Sequence, residues 1–205
     1  MIEGSNLDTE TYCRLKEAGY VSKGLKEVED LVNTYDFATR HVLNESNVLK
    51  AHQTISAHLE IPQEYMGVYR DRPVNVWGNG KIVYKCAKVE KVAKEMQKLF
   101  HDIQLLKERK LSIDEVFYYA SMIHLVFVSI HPFADGNGRM ARLLEKWFLS
   151  EKLGRVAWRI QSEKLYYKRK RSYYARLHFR TDYETIDYSR GVDFLTLLPM
   201  ALNIK

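Results

Sequence analysis

The stretch that decides the fold is HPFADGNGRMAR, residues 131–142, which joins two apolar segments of the chain. Before it, residues 115–130 are apolar on nearly every side, so they predict a buried central helix. Ser112 followed by Glu115 resembles a capping box, the pattern that begins such a helix. The proline in the second position of the quoted stretch disfavours helical geometry at the histidine before it. We therefore expect the buried helix to end at His131.

A second helix is predicted after this point, beginning near Asn137 or Gly138. Gly154 stands where a C-terminal cap is expected, so the helix should end just before it. Its apolar residues recur at the spacing of one helix face. They are Met140, Leu143, Leu144, Trp147 and Phe148. Residues 112–153 are thus expected to form a core helix-loop-helix.

The other patterns are mostly helical. Residues 89–106 carry an apolar stripe at steps of three and four, which predicts an amphipathic helix. Residues 25–49 indicate one or two helices, and residues 162–179 another that is rich in tyrosine and basic side chains. The strand signal is confined to residues 69–84, where two runs flank the turn Gly78-Asn79-Gly80. The expected fold class is mainly α, a helical bundle with a central buried helix, a motif loop and a β-hairpin.

Length, charge and cysteine content limit the class of protein. The 205 residues fit a single domain, and the formal charge of +6 suits a polyphosphate or an acidic partner without identifying either. Cys13 and Cys86 form no CxxC pair and are expected to be free thiols in a reducing compartment. No charged-then-apolar leader opens the chain, and the most apolar stretch, residues 116–130, is too short to span a bilayer. We expect a soluble cytoplasmic protein with no membrane partner; export without a cleaved leader stays open.

The polar residues of the quoted stretch suit a phosphate group. A helix N-terminus presents unpaired N–H groups and the positive end of the helix dipole. The glycine-asparagine-glycine run at residues 136–138 lets that backbone approach an anion closely. Arg139 and Arg142 are three residues apart, so they emerge on one side of the helix, and planar guanidinium groups suit phosphate oxygens. Together these features predict an anion site.

Three further side chains add chemistry to this site. Asp135 offers a hard oxygen ligand for Mg²⁺ beside the phosphates. His131 titrates near neutral pH and can accept a hydroxyl proton, whereas Phe133 is apolar in a polar loop and should point inward as an anchor. His124 is expected to be a core histidine, and the remaining histidines show no ligand spacing. Each feature alone is more often structural, but their occurrence within twelve residues favours a functional site.

The quoted stretch resembles the signature of the Fic family, His-x-Phe-x-(Asp/Glu)-Gly-Asn-Gly-Arg-x-x-Arg. Every fixed position is matched, by His131, Phe133, Asp135, Gly136, Asn137, Gly138, Arg139 and Arg142. Upstream, GVYR at residues 67–70 and PVNV at residues 73–76 resemble the family's flap hairpin. Downstream, YYARL at residues 173–177 resembles the family's Tyr-Tyr-x-x-Leu helix near the nucleotide. The resemblance covers residues 67–198, and we expect it to include the helices before them.

The resemblance implies a protein adenylyltransferase, which transfers AMP from ATP to a Ser, Thr or Tyr hydroxyl of a target protein or of itself. His131 would deprotonate the hydroxyl, and Asp135 would hold Mg²⁺ between the α- and β-phosphates. Residues 136–138 would form the anion hole, with Arg139 on the phosphates and Arg142 on the γ-phosphate.

The flap implied by the resemblance spans residues 67–85 and would hold an extended piece of the target by main-chain hydrogen bonds. Its target-binding residues would be Val74, Asn75, Val76 and Trp77. Tyr173 and Tyr174 would lie near the nucleotide. Many relatives carry prolines just after the flap, whereas Tyr84-Lys85-Cys86 follows here, so the choice of target stays open. A plain hairpin is the alternative interpretation.

Residues 1–10 resemble the end of the family's inhibitory helix, Ser/Thr-x-x-x-Glu-Gly/Asn. Glu3 would pair with Arg142 and remove it from the γ-phosphate, which would leave ATP in an unproductive pose. The Ser or Thr of the pattern would precede Met1, and a frayed chain end is the simpler interpretation of this segment. With this remnant included, residues 1–205 are expected to form a single Fic domain.

Other functions stay open. Within the family they are removal of AMP, with Glu3 orienting water, or transfer of UMP, phosphocholine or phosphate. The run at residues 136–138 argues against the kinase branch, which has Ala-Asn-Lys there. From another class, KLYYKRKR at residues 164–171 interleaves bases with aromatic residues, as nucleic-acid binders do. Packed tyrosines with solvated bases are the preferred interpretation, so nucleic acid is not the expected partner. A homodimer stays open as well.

Overall fold

The computed structural model describes residues 9–177 and 179–203. Within these ranges the chain forms nine α-helices, five 3₁₀ turns and one two-stranded hairpin. The helices are α1 (Thr9–Glu17), α2 (Lys23–Arg40), α3 (Glu45–Ile55), α4 (Val89–Glu108), α5 (Ile113–Ile130), α6 (Asn137–Leu153), α7 (Ser162–Lys168), α8 (Lys170–Ala175) and α9 (Val192–Leu195). The 3₁₀ turns are Gln63–Tyr65, Arg155–Arg159, Tyr183–Thr185, Tyr188–Gly191 and Leu198–Asn203. The strands are β1 (Asn75–Gly78) and β2 (Lys81–Lys85). The mainly α fold class is confirmed.

Helix α5 forms the centre of the bundle and packs against α6. The predicted capping box begins it, since Ser112 Oγ accepts from Glu115 N–H and the Glu115 carboxylate accepts from Ser112 N–H. In the part of the chain that the structure describes, α5 alone has the length and hydropathy of a membrane span, but 61% of that window is buried inside the protein. Its apolar surface is therefore explained by its place in the core.

The other long helices surround this pair. The predicted stripe of α4 is buried against α5 and α6 through Val92, Met96, Leu99 and Ile103. The segment expected to hold one or two helices holds α2 and α3, with Asn44 capping α3. The break between them is tied to α6, because Trp147 Nε1–H donates to the carbonyl of His41 at 2.9 Å. This bond ties the end of α2 to the middle of α6.

The hairpin lies upstream of α4 and is antiparallel. Gly78 pairs with Lys81, so the turn consists of Asn79 and Gly80, and both have positive φ, 51° and 73°. An Asn-Gly pair suits such a turn because these residues tolerate positive φ better than others. The predicted hairpin is confirmed, although β1 begins only at Asn75, after Pro73, which cannot donate to a strand ladder.

The helix predicted at residues 162–179 is wrong in one respect, since it is two short helices, α7 and α8, separated at Arg169. Lys164, Lys168 and Arg171 would lie on one face of a continuous helix at spacings of four and three. Like charges at these spacings destabilise a helix. The break separates them while Leu165, Tyr166 and Tyr173 stay in one buried cluster with Phe194.

Candidate active site

The quoted stretch begins where α5 ends. The predicted end at His131 is confirmed, but the residue adopts the left-handed conformation, φ 56° and ψ 60°, instead of the extended one expected before a proline. Among the described residues only His131 and Asn79 combine a side chain with positive φ. A non-glycine residue in this region costs about 1–3 kcal/mol and persists where surrounding contacts impose it. Such strain often marks a functional position.

Arg70 imposes this conformation. Its backbone N–H donates to the carbonyl of Pro132 at 2.8 Å, and its Nε–H donates to the carbonyl of His131 at the same distance. Its two terminal nitrogens donate to further carbonyls, those of Arg72, Ala87 and Ile130. The residue is 3% exposed. The motif loop and the chain on either side of the two-stranded hairpin are thus joined through one guanidinium group. No sequence pattern had indicated this role for Arg70.

The ring of His131 is partly exposed, and its Nδ1 lies 3.3 Å from the carbonyl of Val128. A carbonyl can only accept, so Nδ1 carries the proton and Nε2 keeps its lone pair. Burial lowers the pKa of His131 to about 4, and the charges of Arg180 and Arg70 act in the same direction. The imidazole is therefore neutral near pH 7 and can accept a proton at Nε2.

Arg180 is the second buried cation near this histidine. It is 6% exposed, its Nη1 donates to Ser129 Oγ at 3.1 Å, and its guanidinium lies 4.5 Å from the ring centroid of Tyr84. Within residues 9–177 and 179–203, neither Arg180 nor Arg70 forms a salt bridge with a carboxylate. Buried charges are normally paired. Two uncompensated cations next to the motif loop favour the binding of an anion there.

His52 on α3 contacts both ends of the first half of the motif loop, although no spacing pattern in the sequence selects this residue. Its Nδ1 accepts from Gly67 N–H at 2.9 Å, which leaves Nε2–H to donate to the carbonyl of Asp135 at 3.1 Å. Its ring stacks on Phe133 with the centroids 3.6 Å apart, and Phe133 is fully buried. Burial lowers the pKa of His52 to about 4, so the neutral form required by these two bonds is the stable one.

The side chain of Asn137 closes the loop from the other end. Its Oδ1 accepts from Phe133 N–H and its Nδ2–H donates to the Phe133 carbonyl, both at 2.9 Å. Asn137 is 2% exposed, so its amide is committed to the loop backbone. Gly136 precedes it with φ 76°, a conformation that favours glycine. Any contact of these residues with an anion would thus come from backbone N–H groups.

Those N–H groups belong to the first turn of α6. The bond from Met140 N–H to the Gly136 carbonyl, at 3.0 Å, closes the first helical turn. The N–H groups before it have no helical partner and carry the positive end of the dipole. Arg139 lies in this turn and Arg142 follows three residues later, and Arg139 Nη2 donates to Glu27 Oε2 at 2.8 Å. Arg142 is 9% exposed.

Asp135 is exposed beside this helix end, and its Oδ1 accepts from Gly136 N–H at 2.6 Å. Among the described residues, no group of three or more His, Cys, Asp or Glu side chains converges as a metal cage would. One carboxylate at an anion site fits a Mg²⁺ ion whose other ligands are phosphates and waters.

The two predicted tyrosines differ in position. Tyr173 is 4% exposed, and its hydroxyl lies 2.9 Å from Nε2 of His124, whereas Tyr174 is 40% exposed. His124 is a satisfied core histidine, as expected, because its Nδ1 lies 2.8 Å from Glu145 Oε2. In this arrangement Tyr174 is the tyrosine with surface available to a ligand. Glu3, the predicted inhibitory residue, lies outside the described residues.

The predicted flap residues lie on and before β1. Val74, Asn75 and Val76 are partly buried, and Trp77 is 65% exposed. The outer edge of β2 is partly covered, since Lys85 N–H donates to the Thr181 carbonyl at 3.0 Å. The outer edge of β1 pairs with no strand among the described residues. An extended peptide could therefore add to β1.

Of the two tyrosines in the basic run at residues 164–171, only one is exposed to solvent. Tyr166 is 4% exposed and donates its hydroxyl to Glu145 Oε2 at 2.7 Å, whereas Tyr167 is 38% exposed. Stacking on bases requires exposed rings. The packing of Tyr166 supports the interpretation of this run as a solvated surface.

The buried central helix α5, the motif loop and the helix α6 that carries Arg139 and Arg142 are the parts that the Fic signature predicts. A family model described as the Fic/DOC family matches residues 42–149, and the chain belongs to this family. The family includes enzymes that bind ATP and transfer AMP. No curated protein matches the chain.

Solved structures share the fold. A Fic family protein from Desulfovibrio desulfuricans G20 has 23% identity and a TM-score of 0.78, over 97% of this chain and 59% of its own. A Fic-domain signalling protein from Bacteroides thetaiotaomicron VPI-5482 has 21% identity and a TM-score of 0.73, over 98% and 81%. The N-terminal Fic domain of a VirB-translocated Bep effector from Bartonella quintana, with bound ADP, has 19% identity and a TM-score of 0.60, over 96% and 86%. The chain spans little more than half of the Desulfovibrio protein.

Proposed function

We propose that this protein is an adenylyltransferase that moves AMP from ATP to a hydroxyl group of a protein. The observation that carries the proposal is the hydrogen bond from Nδ1 of His131 to the Val128 carbonyl, which leaves the lone pair of Nε2 for a proton in the loop that leads into the N-terminus of α6. A proton acceptor and an anion site are thus within one rigid loop. Family membership and the ADP-bound Bartonella domain of the same fold support the choice of nucleotide.

In the proposed reaction the hydroxyl oxygen of a Ser, Thr or Tyr attacks the α-phosphorus of ATP. The bond from this phosphorus to the oxygen bridging to the β-phosphate breaks, and pyrophosphate leaves. The hydroxyl proton passes to Nε2 of His131. Held by Arg70 in its left-handed conformation, the imidazole is oriented before the substrates arrive. Such pre-orientation is a main source of rate acceleration in group transfer.

The lowered pKa of His131 is compatible with this role. Its causes are burial and the charges of Arg180 and Arg70. A bound polyphosphate places negative charge close by, which favours the protonated imidazole and raises its pKa. The free enzyme therefore holds an unprotonated base, and the bound nucleotide increases the basicity of this group.

The phosphates would be held by the first turn of α6, by Arg139 and by Arg142 on the γ-phosphate. When bound, Mg²⁺ would neutralise phosphate charge beside the carboxylate of Asp135. Of the two tyrosines, Tyr174 has the exposed surface to meet the nucleotide, while Tyr173 supports it from the core. The polar groups of the site would thus act by positioning the substrates and by neutralising charge.

The target would add as an extended strand along β1, with Val74, Asn75 and Val76 beside it and Trp77 as an exposed contact. The protein itself is a further substrate in this proposal. Glu3 would restrain the reaction by engaging Arg142, and removal of AMP would be a secondary activity of the same site. The cytoplasm suits the two free thiols, Cys13 and Cys86.

Labelling with two forms of ATP tests the function. With Mg²⁺ and a host lysate, addition of the protein should increase labelling from ATP labelled at the α-phosphate, and it should add no label from ATP labelled at the γ-phosphate to that of the lysate alone. His131→Ala should abolish labelling, whereas His101→Ala, at an exposed position of α4, should keep it. Label from the γ-phosphate alone would replace the proposal with phosphate transfer. Salt-sensitive binding to random oligonucleotides without any labelling would favour the nucleic-acid binder.

A further inference from the structure

The guanidinium of Arg139 is held by a carboxylate that lies far away in the sequence. Arg139 Nη2 donates to Glu27 Oε2 at 2.8 Å, and the side chains are 12% and 17% exposed. The bond joins α2 to the first turn of α6. An ion pair this well shielded has a stronger influence on geometry than a surface pair.

The other arm of the same guanidinium is buried and unsatisfied. Arg139 Nη1 is inaccessible to solvent and has no hydrogen-bond partner within the part of the chain that the structure describes. Buried donors in native proteins are nearly always paired, so an orphaned one indicates a missing acceptor. Its position in the first turn of α6, where the helix dipole is positive, favours an anion as that acceptor.

Glu27 is fixed on a packed helix. Its neighbours in α2, Leu25 and Val28, are 4% and 1% exposed, and Asp30 accepts from both N–H and Nδ1 of His58. The backbone of Glu27 is therefore fixed relative to α6, and the carboxylate can leave Arg139 only by rotation of its own side chain. The pair is suited to hold Arg139 in place.

We propose that Glu27 is a positioning residue for the nucleotide. By holding Nη2 of Arg139 it fixes the direction of Nη1 beside the first turn of α6, where the proposed phosphates bind. The planar guanidinium makes this possible, because fixing one nitrogen fixes the direction of the other. This role rests on the proposed function for its ligand, a nucleoside polyphosphate, and adds a residue outside the signature to the site.

A double-mutant cycle on Glu27 and Arg139 tests the role. ADP affinity is measured by calorimetry, and AMP transfer gives kcat and KM for ATP. Glu27→Ala should weaken ADP binding and lower kcat/KM by about tenfold, the size of one charged hydrogen bond. Glu27→Gln should lose less, since its amide oxygen still accepts. Once Arg139→Ala is present, Glu27→Ala should have little further effect.

A matched control is Glu29→Ala, also on α2, which removes an exposed ion pair with Lys16 and should bind ADP as the wild type does. Thermal unfolding of each variant separates loss of fold from loss of positioning, and Glu27→Gln carries the test if Glu27→Ala does not fold. Additive effects of the two substitutions, or unchanged ADP binding in either Glu27 variant, would overturn the proposal. Faster AMP transfer by Glu27→Gln would make Glu27 a brake instead.

The test of Glu27 and the test of the proposed transferase can fail independently of each other. Wild-type protein that binds ADP without transferring AMP would refute the proposed transferase. The double-mutant cycle on ADP affinity would still test the positioning role of Glu27. Wild-type protein that transfers AMP with no change in the Glu27 variants would refute the positioning role alone. Failure of the wild-type protein to bind ADP or ATP would refute both.

Discussion

Arg70 Nε–H donates to the carbonyl oxygen of His131 at 2.8 Å, across 61 residues of chain. This bond and the one from Arg70 N–H to the Pro132 carbonyl hold His131 in its left-handed conformation. The base of the proposed reaction is thus oriented by a residue at the start of the flap. Substitutions in the flap region are therefore expected to alter the orientation of His131 through the hydrogen bond to its backbone carbonyl.

Replacing Arg70 should disturb the orientation of His131 and have a smaller effect on the affinity for the nucleotide. Arg70→Met leaves the carbonyls of His131, Ala87 and Ile130 without this donor, and we expect a loss of about 3 kcal/mol in the free energy of unfolding. In the folded fraction, kcat for AMP transfer should fall more than ADP affinity. Urea unfolding and calorimetry check this. Arg72→Met, which removes an exposed cation over Tyr65, should change stability by less than about 1 kcal/mol.

The protein should lose stability in mild acid because of His52. Burial lowers the pKa of His52 to about 4, whereas its value in the unfolded chain is 6.5. Between these values the unfolded chain binds the proton more strongly, so the free energy of unfolding falls as pH is lowered from 6.5 to 4, by about 3 kcal/mol from this residue. His131 acts with the same sign.

Chemical unfolding measured across this pH range checks the prediction. His52→Gln should be less stable than the wild type at pH 7 and should show a shallower dependence on pH. An equal slope in the variant and the wild type would exclude His52 as the cause.

The loop depends on the side chain of Asn137, so its removal should cost stability. Asn137→Ala loses both bonds to the Phe133 backbone and leaves those groups buried, for an expected loss of about 2 kcal/mol. Asn137→Asp keeps an acceptor for Phe133 N–H but loses the donor, so it should lie between wild type and Asn137→Ala. Thermal unfolding monitored by circular dichroism checks the order, and equal stability of all three proteins would disprove it.

Trp77 should matter for the target and not for the nucleotide. Because it is 65% exposed, Trp77→Ala should change the free energy of unfolding by less than about 0.5 kcal/mol. We expect slower AMP transfer to a lysate target with unchanged ADP affinity, since the exposed ring would contact the added strand. Labelling of the target and calorimetry are compared in one preparation. If the variant labels the target as strongly as the wild type does, Trp77 does not contact the target.

Glu3→Gly tests the inhibitory role inferred from the sequence. If Glu3 competes with the γ-phosphate for Arg142, its removal should increase AMP transfer and self-modification. Rates are compared at saturating ATP, since the two proteins are expected to bind nucleotide with different geometry. An unchanged rate would exclude Glu3 as a restraint on this enzyme.

Local patterns in the sequence predicted most of the architecture. The capping box at Ser112, the end of α5 at His131 and the Asn79-Gly80 turn depend on neighbouring residues, so a single sequence reveals them. The break at Arg169 was missed, because a count of apolar positions ignores repulsion between successive bases.

The residues that support the site were missed for a different reason. Glu27, His52 and Arg70 meet the motif loop only after folding, across 112, 83 and 61 residues. No spacing rule links such positions, and each is an ordinary residue type in its local segment. Long-range pairing of this kind requires either a structure or an alignment of many relatives.

The central claim is tested most directly by mass spectrometry of the protein and its host lysate after incubation with ATP and Mg²⁺, comparing wild type, Glu3→Gly and His131→Ala. The account predicts adducts with the mass of one AMP on hydroxyl residues, more of them with Glu3→Gly and none with His131→Ala. Adducts with the mass of one phosphate, or AMP adducts that persist in His131→Ala, would contradict it.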